Sequence, residues 1–449
     1  MVAVIDAGTS SIKVFLHDGE KLVSSRRIPW VYSRYDDTAR EFDPDRTFSE
    51  TMGALEEMAK EKGIPKDRLK ITATSQREGM VAIDERGREV YCGTNLDLQA
   101  LFTGFELEER IGEKLYRITG HRPPFLFAPA KILFLSKERG LKRGKILPIS
   151  DWFVFKMTGE VISTVSSLSE IGVLDIEKRE PAYDFLEEIG VWGGFIPDVG
   201  REGEEVGGSV FLGAPDSLLS LLPFVEEDEI GIVTGWSITS IFLKDKPVFD
   251  PEGKIWSGCH INGWFLEGNS GDAGSTLSFM RGIFFPHLGE DEAVREMEEN
   301  MGDSRGVLLS LGPGPMDMKG LPVRRAGILF PAPPSLVKVG RGEIFGAFFD
   351  SIAFSIRSNM EKLEMICGRG RKIFLLGRWA YNKGFTSILP SVLNRDVEVF
   401  VGEPQVFGAF VLISGEKPDV SLEKVRPDPL KSSEYEESYK SWLEFLEGR

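Results

Sequence analysis

The first seventeen residues hold the feature that most restricts what this chain can become. An apolar run, Val2-Ala3-Val4-Ile5, ends in Asp6 and enters the small-residue turn Ala7-Gly8-Thr9-Ser10-Ser11. A second strand, Lys13–His17, leaves it. Two strands that meet at a glycine turn expose backbone N–H groups at the bend. With three hydroxyls beside them, those groups form a concavity for anionic oxygens. A carboxylate at the strand end suits a hydrated Mg²⁺ next to bound phosphates. An ordinary Gly-Thr-Ser hairpin turn is the plainer alternative.

The chain has 449 residues, 41% of them hydrophobic and 28% charged, enough for two or three domains with sizeable cores. Its formal net charge of -16 disfavours nucleic acid and anionic membranes as partners, because both would be repelled. An anionic substrate then needs local basic groups or Mg²⁺. Cys92, Cys259 and Cys367 are far apart and show neither zinc spacing nor a disulfide framework, which fits a reducing cytoplasm. Met1 leads into a strand, so no signal peptide is expected, and no apolar run is long enough to cross a membrane.

Periodicity predicts helices over residues 44–62, 102–118, 130–137, 151–157, 344–367 and 434–446. The Gly/Glu-rich stretch 200–208 reads as a surface loop and 213–229 as an interdomain crossing. A second strand–turn–strand follows around Gly235-Trp236-Ser237, and Lys372–Leu376 ends at Gly377. Two βαβ-rich halves, residues 1–225 and 226–449, each opening on a glycine hairpin, predict two related α/β domains facing across a cleft.

Eight strings occur in a fixed order. They are Asp6-Ala-Gly-Thr-Ser-Ser, Ser75-Gln-Arg-Glu-Gly-Met-Val, Asn95-Leu-Asp97, Ala128-Pro-Ala-Lys131, Ser150-Asp-Trp152, Met157-Thr-Gly-Glu160, Val173-Leu-Asp175 and Gly213-Ala-Pro-Asp216. Each is weak alone, but in this order they resemble the FGGY family of carbohydrate kinases over nearly the whole chain. Within that family the autoinducer-2 kinases look nearest, then the glycerol and xylulose kinases. The resemblance implies two actin-like, ribonuclease H-like domains flanking an active-site cleft. It also implies transfer of the γ-phosphoryl of ATP, with Mg²⁺, to a hydroxyl of a small sugar or polyol, and it leaves a homodimer open.

The same resemblance assigns roles. Asp6 would order Mg²⁺, while Gly8, Thr9, Ser10 and Lys13 hold phosphate oxygens. Gly235, Ser237, Gly377 and Arg378 would contact the donor from the second domain. Arg77, Glu78, Asn95 and Asp97 would grip the acceptor, since a guanidinium and carboxylates are what polyol recognition uses. Gln99 stands where the family usually shows Arg. Asp216 is the candidate general base. Asp272, in Gly268-Asn-Ser-Gly-Asp272, is a competitor that follows the Gly235 turn, whereas the family's base precedes it. The nucleotide side departs from the pattern. Trp236 replaces a hydroxyl or glycine, and Gly377-Arg378-Trp379 stands where the family has three glycines. These changes motivate a second reading, a degenerate homologue that binds ligand without catalysis or uses another donor. A third, an actin-like or chaperone-like ATPase, lacks a reason for the 75–81 and 213–216 strings.

Overall fold

Strand β1 (Val2–Ala7) is buried along its whole length. A run without polar alternation is what a strand covered on both faces requires. Ala3, Ile5 and Ala7 pack with Leu55, Met58, Trp152 and Phe153 on one face. Val2 and Val4 pack on the other with Phe15, Leu219, Val406 and Ala409. The first face is closed by helices Pro44–Glu61 and Ile149–Thr158, the second by Pro404–Ser414. Asp43 caps the first helix by accepting from the Arg46 N–H, and Gly159, in the left-handed region, ends the second.

The computed structural model describes residues 1–289, 292, 295, 304–319, 326–332 and 338–448. The chain divides into two units. The first holds Met1–Phe224, Lys244–Phe265 and Glu403–Asp419, and the second Val225–Leu243, Leu266–Gly402 and Val420–Arg449. The first break lies one residue from the expected boundary at 225. The two later returns to the first unit depart from a single cut. Each has a packing reason: Cys259 lies in the core with Leu168, Val173 and Ile176, and Val406 and Ala409 cover β1.

In the first unit, β1 pairs antiparallel with β2 (Ser11–His17) and parallel with Lys70–Ser75. Lys70–Ser75 pairs parallel with Val210–Phe211, and β3 (Leu22–Pro29) adds to β2. Three parallel strands therefore end on one edge. The loops that follow them, residues 8–10, 76–79 and 212–216, leave from that edge, where open α/β sheets hold ligands. The stretch expected as a loop at 200–208 contains Glu205–Gly207, which pairs antiparallel with Val210–Phe211 at the sheet's end.

The second unit repeats the plan. Ile230–Thr234 pairs antiparallel with Ser237–Lys244 and parallel with Ile373–Gly377, beside which lie Val397–Val399 and Glu423–Val425. The last hairpin pairs are Ala7 with Ile12 and Thr234 with Ile238, so the second turn is one residue tighter. Asp6 pairs with Lys13, whereas the corresponding position holds Val233, paired with Thr239. Of the two hairpins, the first alone carries a carboxylate at that point.

Candidate active site

The opening turn is braced from several elements. Trp30 Nε1 donates to the Gly8 carbonyl at 2.9 Å and Asn95 Nδ2 to Thr9 Oγ1 at 3.1 Å. Arg27 Nε donates to Ser11 Oγ at 2.9 Å and its Nη2 reaches Ser10 Oγ at 3.5 Å. Asp6 shares the face of Val2 and Val4, so it meets the helix that covers them. Gln405 Nε2 donates to Asp6 Oδ2 at 2.9 Å and to Glu403 Oε2 at 3.1 Å. Lys13 Nζ lies 3.6 Å from Glu403 Oε2. Burial, and then the Asp216 carboxylate, push Asp6 up to about 7; Lys13 and the Gln405 bond oppose them.

Asp216 reaches this neighbourhood through a backbone that only glycine allows. A Cβ at Gly213 would collide with the Ala73 carbonyl. Thr74 Oγ1 donates to the Ala214 carbonyl at 2.6 Å and pins the loop. Asp216 then opens the short helix Asp216–Leu221, its Oδ1 accepting from the Ser217 N–H at 2.7 Å. Two repelling carboxylates are a donor set that suits a divalent cation. Among the described residues, no group of three or more His, Cys, Asp and Glu could hold a metal. Mg²⁺ keeps most of its waters and uses one or two carboxylates plus phosphates, so the pair fits that ion. Asp272 caps helix Ala273–Phe284, accepting from the Ser275 N–H at 2.7 Å.

The predicted acceptor residues divide into two groups. Arg77 is buried, 3.4 Å from Glu170 and 5.4 Å from the centre of the Trp256 ring. Glu78 is the one residue of 71–83 that is not buried. Asn95 joins the acceptor loop to the opening turn, its N–H donating to Gln76 Oε1 at 3.4 Å. Asp97 has both oxygens engaged inside the fold. They accept from Tyr91 Oη and the Arg40 N–H, each at 2.8 Å, and from Gln99 Nε2 at 2.9 Å. These bonds tie Asp97 to the loop that carries Asn95. Gln99 also donates to Glu41 at 2.9 Å and accepts from Arg34 at 2.7 Å.

In the second unit, the parallel pairing of Thr234 with Gly377 brings the Gly235 and Gly377 turns side by side. Gly235, Ser237 and Arg378 are exposed there. Gly377 has φ +87°, and a Cβ would collide with the Thr234 carbonyl. Both indoles that replace small residues are housed within this unit. The Trp236 ring lies where a side chain on Gly274 would stand. Trp379 is buried among Phe348, Phe349 and Phe385, and its backbone N–H donates to Thr234 Oγ1 at 3.0 Å. Trp379 thus belongs to the core of this unit. Arg27, Glu170, Glu403 and Gln405 were not marked by the sequence motifs. Glu403 and Gln405 lie nearly 400 residues from Asp6, and no local pattern signals them.

Each unit taken by itself is a β-hairpin with a parallel third strand and a glycine turn at the strand ends, the plan of the actin-like class of α/β folds. Residues 1–211 match the N-terminal domain of the FGGY family of carbohydrate kinases. The ordered motifs of this stretch are similar to those of such a domain. YoaC of Bacillus subtilis (strain 168), named as a sugar kinase, is 24% identical over 437 residues, 91% of this chain and 88% of its own. The autoinducer-2 kinase of Salmonella typhimurium is 21% identical over 496 aligned positions, covering 98% of this chain and 92% of its own. The ligand-bound xylulose kinase of Lactobacillus acidophilus has the same fold, with a TM-score of 0.84 at 15% identity, covering 100% of this chain and 98% of its own.

Proposed function

We propose that the protein is an ATP-dependent kinase that phosphorylates a hydroxyl of a small polyol or ketose. The carrying observation is the Asp6–Asp216 pair: a buried carboxylate pushed up to about 7 by burial and by a second carboxylate, beside a hydroxyl-lined turn. That arrangement fits a cation-assisted phosphoryl transfer and has no use in a purely structural hairpin. Asp6 would hold the Mg²⁺ water shell, and the ion when bound supplies neutralisation of phosphate charge. Thr9, Ser10, Lys13 and the exposed Arg27 would position phosphate oxygens. In the second unit, Gly235, Ser237, Gly377 and Arg378 would contact the donor, and the packing of both indoles within that unit supports an open donor edge.

Asp216 takes the proton of the acceptor hydroxyl. The oxygen forms its bond to the γ-phosphorus as the bond to the bridging oxygen breaks, and ADP leaves with the electron pair. Arg77 and Glu78 orient the acceptor, and Asn95 links its position to the phosphate turn. The relatives named as autoinducer-2 kinase, together with xylulose and glycerol kinases among the structures of the same fold, support a small polyhydroxylated acceptor. The proposed site of action is the cytoplasm, where ATP is supplied. Asp216→Asn tests the assignment. Phosphorylation should fall by about a thousandfold or more, within the range that base removal and lost positioning give, while calorimetric acceptor affinity stays within twofold. Undiminished turnover in that variant would remove Asp216 from the mechanism.

A further inference from the structure

The loop that presents Glu78 is folded in an unusual way. The Gly79 N–H donates to the Arg77 carbonyl at 2.7 Å, a γ-turn centred on Glu78. Glu78 has φ +61°, in the left-handed region that a long side chain seldom occupies. This sign of φ belongs to the rarer, strained form of the γ-turn. Such strain persists only where the surroundings hold it, and it concentrates at working sites. The consequence here is visible in exposure: from Ile71 to Ile83 every residue is buried except Glu78.

A buried side chain bonds to this turn. Lys131, on helix Ala128–Glu138, is 1% exposed, and its Nζ donates to the Glu78 carbonyl at 2.7 Å. A buried ammonium is costly unless paired. The charges that face it are the carboxylates of Asp97 and Glu78, which offset the burial that pulls it down to about 8. A lysine here is not explained by packing alone, since a leucine or methionine would fill the volume without desolvating a charge.

We propose that Lys131 is a positioning residue for the acceptor: its ammonium clamps the Glu78 carbonyl and so holds the strained turn that aims the Glu78 carboxylate at the substrate. The inference rests on the reading of Glu78 as an acceptor ligand. Without the clamp the turn relaxes, Glu78 leaves its place, and acceptor binding weakens while the phosphate turn is untouched.

The test is a double-mutant cycle in the full-length protein, read by acceptor KM, ATP KM and kcat with the best acceptor found. Lys131→Met should raise acceptor KM at least tenfold, with ATP KM and kcat within about threefold. Glu78→Ala should raise it as much, and Lys131→Met added to Glu78→Ala should raise it no further. Lys131→Arg, which keeps a charged donor, should recover part of the loss. If Glu78→Ala leaves acceptor KM unchanged, the acceptor reading fails and the inference with it. If Glu78→Ala raises KM but Lys131→Met does not, or if the two effects multiply, the clamp is refuted and the acceptor reading stands. Should Lys131→Met fold poorly, Glu78→Gly decides. Glycine accepts positive φ, so Glu78→Gly should melt higher than Glu78→Ala and restore folding to the Lys131→Met chain. Equal melting of Glu78→Gly and Glu78→Ala, or no restoration, would contradict a strained turn held by Lys131.

Discussion

In the proposed mechanism, single carboxyl groups carry both the chemistry and the pH response. Asp151, in helix Ile149–Thr158, accepts from Ser150 Oγ at 3.2 Å and from Ser163 Oγ, yet burial pushes it up to about 7 from 3.8. A folded pKa above the unfolded one means that the fold prefers the protonated form. Stability from this group is complete at low pH and declines as pH rises from about 4 towards 7. Asp151→Asn should therefore gain stability over the parent chain more at pH 8 than at pH 5, by up to about 3 kcal/mol. Chemical denaturation at both pH values checks this, and an equal difference at the two would contradict it. Residues such as Asp151 and Asp97 show why site roles are hard to read from sequence. The string Asn95-Leu-Asp97 marks both polar residues alike, but Tyr91, Arg40 and Gln99 take up the Asp97 oxygens. Whether a polar group faces a ligand or a neighbour depends on residues that only the fold brings together.

At the scale of elements, the opening hairpin was legible because its signal is local: an apolar run, a carboxylate and a small-residue turn within seventeen positions. The helices expected over 44–62 and 151–157 were legible for the same reason, through local periodicity, and occur as Pro44–Glu61 and Ile149–Thr158. The role of Pro404–Ser414 was not. Its periodicity announces a helix, but nothing in it says that Gln405 meets Asp6 while Val406 and Ala409 cover Val2 and Val4. Gly408 hints at a close approach, and a Cβ there would collide with the Leu219 carbonyl. The Gln405 bond holds the Asp6 carboxylate lower than burial alone would set it. Gln405→Leu should therefore move the acid limb of the activity profile to higher pH. An acid limb that stays in place would separate the helix from the function of the turn. Trp379 teaches the converse lesson. It stands where the family has a glycine, and only the fold shows that its indole packs beside Phe348, Phe349 and Phe385.

For the whole molecule, the repeat of one plan in two units was anticipated from the two glycine hairpins. The way the chain returns to the first unit at 244–265 and 403–419 was not, because such crossings depend on long-range packing. The units have diverged in charge: one strand end carries Asp6 where the other carries Val233. A chain with net charge -16 repels free ATP, so the nucleotide should bind chiefly as its Mg²⁺ complex. Titration calorimetry should show ATP affinity falling roughly tenfold or more when Mg²⁺ is withheld. Equal affinity with and without the ion would mean that Asp6 does not meet a cation. The central claim, acceptor-dependent phosphoryl transfer, is tested most directly by ADP release over a panel of polyols and ketoses, with the products weighed by mass spectrometry. The account predicts that at least one acceptor drives ADP release and appears as its phosphate ester in equal amount. ADP release at the same rate without any acceptor, and no ester from any of them, would contradict it.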